Sequence, residues 1–251
     1  MFEKRRPLAP PSLLEALLES RVIPEYVLGS YALPWVHWLP RGDGHPVLVL
    51  PGFMLDKSST FHLRWTISRL GYRVFDWRLG RNTGPVGHFE DDVLARIRTI
   101  RSRTGRKPSL VGWSLGGVYA RVLAHRAPDQ IRAIITLGSP IRFPHRSTAD
   151  RLYRKVSGQF DHPEYLRRIT AAPSIPTTAI YSRLDGIVNW RACLGEESAV
   201  AENVGVLGSH CGLGYNPTVF RIVADRLAQP EGQWARFSWL GGKAATPSGA
   251  A

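Results

Sequence analysis

The feature that most constrains the fold is an alternation of short apolar runs with helical segments, which starts near residue 45. Apolar runs of this length are typical of strands buried on both faces, as in a parallel sheet covered by helices. The predicted strands span residues 46–50, 72–79, 108–113, 131–137, 177–182 and 203–207. The predicted helices span residues 58–70, 90–103, 115–126 and a last segment that starts after Asn216. We therefore predict an α/β fold with a mostly parallel central sheet and helices on both faces.

The limits of this pattern define the predicted domains. Residues 1–44 form an N-terminal arm, in which Ser12 and Glu15 make a capping box that opens an amphipathic helix. Residues 45–230 form the core. Within the core, residues 141–176 are too long for an ordinary loop and contain two short helical patterns, which predicts a helical cap inserted over one end of the sheet. Residues 231–251 form a tail that we expect to be partly disordered, because its end is of low complexity.

The charge balance bears on the choice of partner. The chain carries 33 Lys and Arg residues against 20 Asp and Glu residues, a formal net charge of +13, which makes nucleic acids and anionic membranes candidates. The densest basic run, residues 96–107, alternates with apolar residues at helical spacing, which is typical of a helix with a solvated basic face. No zinc-finger spacing or aromatic RNA-binding strand accompanies the charge. We therefore predict no nucleic-acid partner and leave a peripheral contact with an anionic membrane open.

Composition excludes several other classes of protein. Charged residues make up 21% of the chain, which argues against wholesale disorder, and two cysteines are too few for a disulfide scaffold or a Cys-rich zinc module. Neither a signal peptide nor a membrane-spanning segment is readable in the sequence. We therefore expect a cytoplasmic protein, with a position at the periphery of a membrane as the alternative.

One serine lies in a glycine-rich segment between a predicted buried strand and a predicted helix. The segment reads Gly-Trp-Ser-Leu-Gly-Gly over residues 112–117. In this position the pattern is typical of a nucleophile elbow, a tight turn that holds a serine in a strained conformation. Side chains two residues before and after the serine would collide, which accounts for Gly112 and Gly116. Because the following helix directs its N-terminal dipole at Ser114, we predict that this serine is a nucleophile.

A serine nucleophile needs a base, which after an elbow is expected late in the chain. His210 follows the last predicted strand and precedes the last predicted helix, so it lies at the same sheet edge as Ser114. His145 and His162 lie in the predicted cap instead. We therefore predict that His210 is the base.

The base needs an acid that orients it, placed between the serine and the histidine in the chain. Asp185 directly follows the predicted strand at residues 177–182, so its carboxylate emerges at the same sheet edge. Asp161 is the alternative acid, and it would follow the preceding strand of the sheet. The predicted catalytic residues are Ser114, Asp185 and His210.

An oxyanion hole needs two amides that converge on the oxygen of the attacked carbonyl. The amide of Leu115, which follows the nucleophile, is predicted to be one of them. The other is predicted at Phe53 in the loop after the first core strand, with Met54 as the alternative. The side chains of Met54, Trp113 and Phe143 are predicted to line an apolar substrate pocket.

Four segments together resemble a known family. They are the elbow at residues 112–116, Leu-Gly-Ser-Pro at 137–140, Tyr-Ser-x-x-Asp-Gly at 181–186 and Ser-His-x-Gly-Leu at 209–213. Through them the sequence resembles α/β-hydrolases of the serine esterase and lipase branch, from about residue 47 to about residue 227. The last two segments are similar to the acid and histidine loops of small bacterial triacylglycerol lipases. The resemblance implies ester hydrolysis through an acyl-enzyme, without a metal or an organic cofactor.

The chain departs from the family at one position, where many relatives carry His-Gly in the oxyanion loop. Here the sequence is Pro51-Gly52, and since backbone amides are still present nearby, the departure concerns only which amide donates.

Two cysteines lie close to the predicted acid and histidine loops. Whether Cys193 and Cys211 form a disulfide or stay reduced is left open.

The predicted function is that of a serine esterase or lipase. Its substrate would be a small-molecule or lipid ester with an apolar acyl chain, and lipid metabolism is the predicted setting. An acyltransferase or amidase with the same triad is one alternative, because the pocket selects the acceptor. A non-catalytic binding protein with a basic surface is the other, and a complete triad in the expected order argues against it.

Overall fold

The computed structural model describes residues 8–85, 88–142, 147–157 and 163–239 of the chain. Several predicted features lie outside these ranges. They are the pocket residue Phe143, the alternative acid Asp161, the cap histidines His145 and His162, and residues 240–251 of the tail.

Six parallel strands form one sheet, which confirms the predicted α/β fold. The strands are β1 (Pro46–Leu50), β2 (Arg73–Asp76), β3 (Ser109–Trp113), β4 (Ile134–Leu137), β5 (Thr177–Ser182) and β6 (Ala201–Val206). Their order across the sheet is β2-β1-β3-β4-β5-β6. All five pairings are parallel, so the carboxyl ends of the strands meet at one edge.

Eight α-helices accompany the sheet within the described residues. They are α1 (Leu13–Leu17), α2 (Val22–Ala32), α3 (Phe61–Arg69), α4 (Phe89–Thr104), α5 (Leu115–Arg126), α6 (Asp150–Ser157), α7 (Pro163–Thr170) and α8 (Pro217–Ala228). The start of α8 is capped as its sequence predicts, because the Asn216 side chain accepts a hydrogen bond from the Thr218 amide at 2.8 Å. None of the described helices is long and apolar enough to cross a membrane.

Alternate residues of each strand pack into two separate cores. In β1, Leu48 and Leu50 pack against α4 and α5 on one face. Val47 and Val49 pack against α3 and α8 on the other. A strand that is covered on both faces needs apolar side chains at every position, which is why these strands read as continuous apolar runs.

Several boundaries differ from the predicted ones. The second strand ends at Asp76 instead of residue 79, since Arg78 has a positive φ of 60° that extended backbone does not allow. The fourth strand starts at Ile134 instead of residue 131, because a short 3₁₀ helix occupies Pro128–Gln130. These differences do not move any residue of the predicted site.

The N-terminal arm runs over the core as short helices. The predicted capping box is present at the start of α1, where the Ser12 hydroxyl and the Glu15 carboxylate bond to each other's backbone amides. The predicted helix is short, however, and α2 follows it after one 3₁₀ turn. The ring of Tyr26 in α2 packs edge-on against His62 and Tyr215 of the core, with centroids 4.7 and 5.1 Å apart.

Helices α6 and α7 lie in the segment between β4 and β5, where two short helices are predicted. The side chain of Arg121 in α5 binds the end of α7, donating to the carbonyls of Ile169 at 2.7 Å and Ala171 at 2.5 Å. Just before α6, Ser147 makes an antiparallel bridge with Val188, which lies in the loop after β5. The segment therefore contacts the carboxyl edge of the sheet.

Candidate active site

The topology marks the carboxyl ends of β1 and β3 as a binding position. The chain places β2 on one side of β1 and then returns to place β3 on the other side. Loops that leave two such neighbouring strands run to opposite faces of the sheet and leave a crevice between them. The predicted nucleophile follows β3, and the predicted oxyanion loop follows β1.

Ser114 lies in a strained turn between β3 and α5. Its φ of 54° and ψ of −120° fall in a region that side-chain-bearing residues rarely adopt. Glycines permit the turn: a Cβ on Gly112 would overlap the Gly116 carbonyl, and a Cβ on Gly116 would overlap the Leu50 carbonyl at the end of β1. A Cβ on Gly117 would overlap the Ser139 hydroxyl after β4. The geometry is that of a nucleophile elbow.

Two backbone amides near Ser114 have no acceptor among the described residues. Leu115 is the first residue of α5, so its amide has no partner within the helix. In the loop after β1, the Met54 amide donates to the Asn82 carbonyl at 2.6 Å, whereas no hydrogen bond of the Phe53 amide is found in the described part of the chain. Of the two predicted alternatives, Phe53 is therefore the one with an available amide.

Asn82 holds the loop that carries these amides, and sequence reasoning missed it. Its side chain is buried, donates to the Pro51 carbonyl at 2.8 Å and accepts from the Tyr119 hydroxyl at 3.0 Å. Its backbone bonds to Met54 and Leu55. A lone asparagine between Arg81 and Thr83 carries no sequence signal that would distinguish it from an ordinary loop residue.

Asp185 and His210 are paired in the buried space after β5 and β6. The Nδ1 of His210 donates to Oδ2 of Asp185 at 2.6 Å, and the two residues are only 5% and 3% exposed. The other carboxylate oxygen, Oδ1, accepts from the amides of Ile187 at 2.9 Å and Val188 at 2.7 Å. The carboxylate is thus fixed, and it fixes the imidazole with Nε2 as the free nitrogen.

The pKa of His210 lies above the ordinary value for histidine. Burial opposes the charged imidazolium and is the largest single influence, but the charge of Asp185 and its hydrogen bond outweigh it together with the charge of Glu19. An imidazole in this setting is a stronger base than one in water, which suits the removal of a proton from a serine hydroxyl.

Ser114 and His210 are neighbours at the sheet edge. Trp113 pairs with Leu137, so Ser114 lies beside Gly138 at the ends of β3 and β4. A Cβ on Gly138 would lie 3.0 Å from Nδ1 of His210, which shows that the imidazole covers this glycine. Among the described residues no hydrogen bond joins the Ser114 hydroxyl to the imidazole, and such bonds often tighten only when substrate binds.

Glu19 of the arm bonds to both the Asp185 loop and the His210 loop, and sequence reasoning missed this contact. Its Oε1 accepts from the amides of Gly186 at 2.7 Å and His210 at 2.8 Å, and its Oε2 accepts from the Cys211 amide at 2.9 Å. The carboxylate is buried. A buried carboxylate that accepts three amide hydrogen bonds has its charge compensated, and it holds the backbone of these residues in place.

Glu25 makes a second contact of the same kind. One of its oxygens accepts from the Ser209 amide at 2.8 Å, and the other bonds to the Ser209 hydroxyl. A side chain on Gly212 would overlap this carboxylate, so the glycine in the Ser-His-x-Gly segment leaves room for Glu25. The arm therefore binds the histidine loop through two glutamate side chains.

Cys193 and Cys211 are both free, so no disulfide joins the Asp185 loop to the His210 loop. Burial and the nearby charge of Asp185 raise the pKa of the Cys193 thiol well above its usual range. Burial and the charge of Glu19 raise the pKa of Cys211 to about 12. Neither thiol is an activated nucleophile.

The predicted pocket residues fall into different places. Trp113 is buried beneath the histidine loop, and its indole N–H donates to the His210 carbonyl at 3.2 Å. This position supports the loop and does not leave the ring free to line a pocket. Phe53 and Met54 are half-buried, and the Phe53 ring packs edge-on against Tyr153 of α6 with centroids 5.2 Å apart.

In the described ranges no three His, Cys, Asp or Glu side chains converge on a metal site.

A family model for the alpha/beta hydrolase fold matches residues 45–161. Together with the six-stranded parallel sheet, this match shows that the chain has the α/β-hydrolase fold. The matched part of this α/β-hydrolase includes the elbow and the oxyanion loop, and the Asp185 and His210 loops follow it.

Two curated relatives are similar to part of this α/β-hydrolase. Serine hydrolase BPHL of Homo sapiens is 26% identical over 114 residues, which cover 41% of this chain and 39% of the relative. A pimeloyl-[acyl-carrier protein] methyl ester esterase of Aliivibrio salmonicida is 24% identical over 117 residues, which cover 43% of this chain and 41% of the relative. The matches thus span less than half the length of either relative.

A solved structure extends the similarity of fold beyond the elbow. The structure of Aspergillus fumigatus lipase B superposes with a TM-score of 0.59 at 17% identity, over 74% of this chain and 53% of the lipase. At this identity the likeness concerns the fold of the α/β-hydrolase and not its substrate.

Proposed function

We propose that this α/β-hydrolase cleaves carboxylic esters through an acyl-enzyme, with Ser114 as nucleophile, His210 as base and Asp185 as the acid that orients the base. The observation that carries the proposal is the arrangement at the sheet edge: a serine in a strained turn lies beside Gly138, and the imidazole that covers this glycine is bonded to a buried carboxylate at 2.6 Å. Backbone strain and buried charged groups cost stability, and such arrangements cluster at sites that carry out chemistry.

In the proposed reaction, the Ser114 hydroxyl oxygen attacks the ester carbonyl while Nε2 of His210 takes the hydroxyl proton. The amides of Leu115 and Phe53 donate to the oxyanion of the tetrahedral intermediate. The imidazolium then gives its proton to the leaving alcohol, which departs and leaves the acyl group on Ser114. Water repeats the sequence, releases the carboxylic acid and restores the serine. Asp185 stays ionised throughout and stabilises the imidazolium.

The proposed substrate is an ester with an apolar acyl chain. Phe53, which carries the second oxyanion amide, packs against Tyr153 of α6, so apolar rings lie beside the position of the acyl group. The half-exposed side chains of Met54 and Leu55 extend this apolar lining. The similar proteins, an esterase and a serine hydrolase, support ester hydrolysis in general and do not set the acyl chain.

Hydrolysis of p-nitrophenyl esters of increasing acyl length tests this proposal. The purified protein should hydrolyse the esters, and Ser114→Ala should abolish both turnover and labelling by a fluorophosphonate. Ser139→Ala is the matched control, because this serine lies at the adjacent strand end without a strained backbone. Hydrolysis that persists in Ser114→Ala would refute the proposal. Product in which the acyl group has moved to an added alcohol or amine would favour the acyltransferase or amidase alternative.

The assignment of the acid has its own test. Asp185→Asn places an amide NH₂ against the N–H of His210 and favours the wrong tautomer, so kcat should fall by about 10³- to 10⁴-fold with little change in KM. Asp161→Asn should leave kcat unchanged. If Asp161→Asn lowered kcat to this extent and Asp185→Asn did not, Asp161 would be the acid that orients the base.

A further inference from the structure

The outer surface of the arm is unusually apolar. Large apolar side chains along residues 13–38 are exposed to solvent, among them Leu13 (78%), Ile23 (70%), Tyr31 (71%) and Trp38 (74%). Apolar side chains that are exposed singly are normal, but a continuous set on one short segment marks an interaction site.

The charged side chains of residues 12–38 all make hydrogen bonds. Glu19 and Glu25 bind the histidine loop, Glu15 closes its own capping box, and Arg21 donates to the Leu184 carbonyl at 2.9 Å. None of these four residues is exposed. Among residues 12–38, all of which are described, the exposed residues therefore include no Lys, Arg, Asp or Glu.

Exposed basic residues lie close to this apolar segment. Arg41 follows it in the chain. Arg183 and Arg191 are exposed on the loop that contacts the start of the arm, where Asn189 donates to the Ala9 carbonyl at 3.0 Å. Together with a formal net charge of +13, this makes the region complementary to an anionic surface.

We propose that the outer face of the arm docks into the interfacial region of an anionic lipid bilayer. Short surface helices with leucine and isoleucine on the outer side, together with tryptophan and tyrosine, are the elements that lie in the plane of a membrane interface. Basic residues at the edges of the apolar face add attraction to anionic headgroups. Since no described helix can cross a bilayer, the contact is one of surface docking.

A second copy of this chain is a poorer occupant of the same face. Two copies related by a twofold axis would bring the same surface together, including the arginines at its edges. Like charges brought together on the rim oppose such a dimer, whereas they favour an anionic membrane.

Docking also has a consequence for catalysis, which rests on the proposed function. The inner side of the same arm holds the His210 loop through Glu19 and Glu25, so the docked surface lies next to the carboxyl edge of the sheet. A membrane-bound enzyme would thus present its site to esters within or near the bilayer. Docking itself does not require hydrolysis and can be measured without it.

Sedimentation with lipid vesicles tests the docking, with the Ser114→Ala protein so that no ester turnover is involved. The protein should bind vesicles of mixed phosphatidylcholine and phosphatidylglycerol more tightly than vesicles of phosphatidylcholine alone, and added salt should weaken the binding. The double variant Trp35→Ser and Trp38→Ser should lose affinity for the mixed vesicles by about tenfold or more. Trp239→Ser is the matched control: it is exposed to a similar extent (47%, against 52% for Trp35) but lies outside the arm.

The outcomes separate the alternatives. Equal vesicle binding by the double variant and the control would overturn the proposal, and so would wild-type binding that is independent of anionic lipid. A dimer that the double variant converts to monomers, without vesicle binding by the wild type, would assign the face to a second copy. The thermal unfolding temperatures of both variants check that these exposed substitutions leave the fold intact. If the double variant unfolds, the dependence of wild-type binding on anionic lipid and salt decides the question.

Discussion

Glu19 and His210 are 191 residues apart in the sequence, and the carboxylate of Glu19 accepts a hydrogen bond from the His210 amide at 2.8 Å. The same carboxylate binds the amides of Gly186 and Cys211. One side chain of the arm therefore joins the loop that carries the predicted acid to the loop that carries the predicted base.

Replacing Glu19 with Gln should change both the charge and the hydrogen bonding at this point. Glutamine keeps one acceptor oxygen but turns an NH₂ group toward an amide donor, so the unfolding free energy should fall by about 1–3 kcal/mol. The negative charge of Glu19 helps to raise the pKa of His210. Because His210 must be neutral to act as base, removing that charge should move the acid limb of kcat/KM to lower pH.

Glu15→Gln is the matched control for this variant. Glu15 lies in the same arm, and within the described residues its carboxylate bonds to Ser12 alone, so its replacement should leave the acid limb in place. An NMR titration of the His210 ring gives the same information without an activity assay. An unchanged His210 pKa in Glu19→Gln would contradict the expected effect of the charge.

Asn82→Ala should destabilise the oxyanion loop. The substitution leaves the Pro51 carbonyl without its donor and the Tyr119 hydroxyl without its acceptor, both buried, at a cost of about 2–4 kcal/mol. We expect kcat to fall more than KM rises, because the loop carries an amide that acts mainly in the transition state. Tyr119→Phe removes only the hydroxyl and should have a smaller effect on both quantities. Equal effects of the two variants would show that the bond to Pro51 contributes little.

Gly116→Ala should be much more damaging than an ordinary glycine substitution. A Cβ at this position would overlap the Leu50 carbonyl, and backbone atoms cannot move aside as a flexible side chain can. We expect a loss of about 3 kcal/mol of unfolding free energy and of most activity, since α5 must move away from β1. At Gly195 a Cβ would meet its nearest atoms at 3.4 Å, so Gly195→Ala should be nearly neutral in chemical denaturation. Similar midpoints for the two variants would disprove this account of the elbow.

A buried histidine at the opposite edge of the sheet should make stability depend on pH. His45 is fully buried and bonds to Asp43 at 2.6 Å and to Ser109 at 2.9 Å. Burial, together with the charges of Arg132 and Arg106, lowers the pKa of His45 to about 4, although Asp43 acts in the opposite direction. The unfolded chain therefore binds a proton more readily than the folded one.

Because the folded pKa of His45 is lowered, the protein should lose stability as the pH falls from about 6.5 toward 4. Between neutral pH and about pH 4.5 the contribution of this residue is about 2 to 3 kcal/mol, measured as unfolding free energy by chemical denaturation. His45→Asn should reduce the pH dependence by that amount, whatever its effect at neutral pH. Comparison with the wild type cancels the contributions of His62, whose pKa is lowered, and of His210, whose pKa is raised. An unchanged pH dependence would show that the pKa of His45 is not lowered by folding.

The sheet, the elbow and most element boundaries near the site could be predicted from the sequence. The strands at residues 46–50 and 177–182 and the helix at 115–126 match the structure at both ends. These features are readable because they depend on local chemistry: runs of apolar residues, glycines that permit a positive φ, and capping residues act within a few positions of each other. The order of serine, aspartate and histidine likewise follows from the chain.

The surroundings of those residues depend on contacts between segments that are distant in the chain. The contacts of Glu19 and Glu25 with the histidine loop, and of Asn82 with the oxyanion loop, join residues far apart in the sequence. A glutamate that binds three buried amides reads in the sequence like any glutamate on a helix surface, because its role depends on which backbone donors the fold brings to it. The same holds for Cys193 and Cys211, which stay free although their loops meet, and for Trp113, which packs beneath His210. The local pattern of residues thus determines the secondary-structure elements and their order along the chain. Packing between distant segments determines the environment of the site.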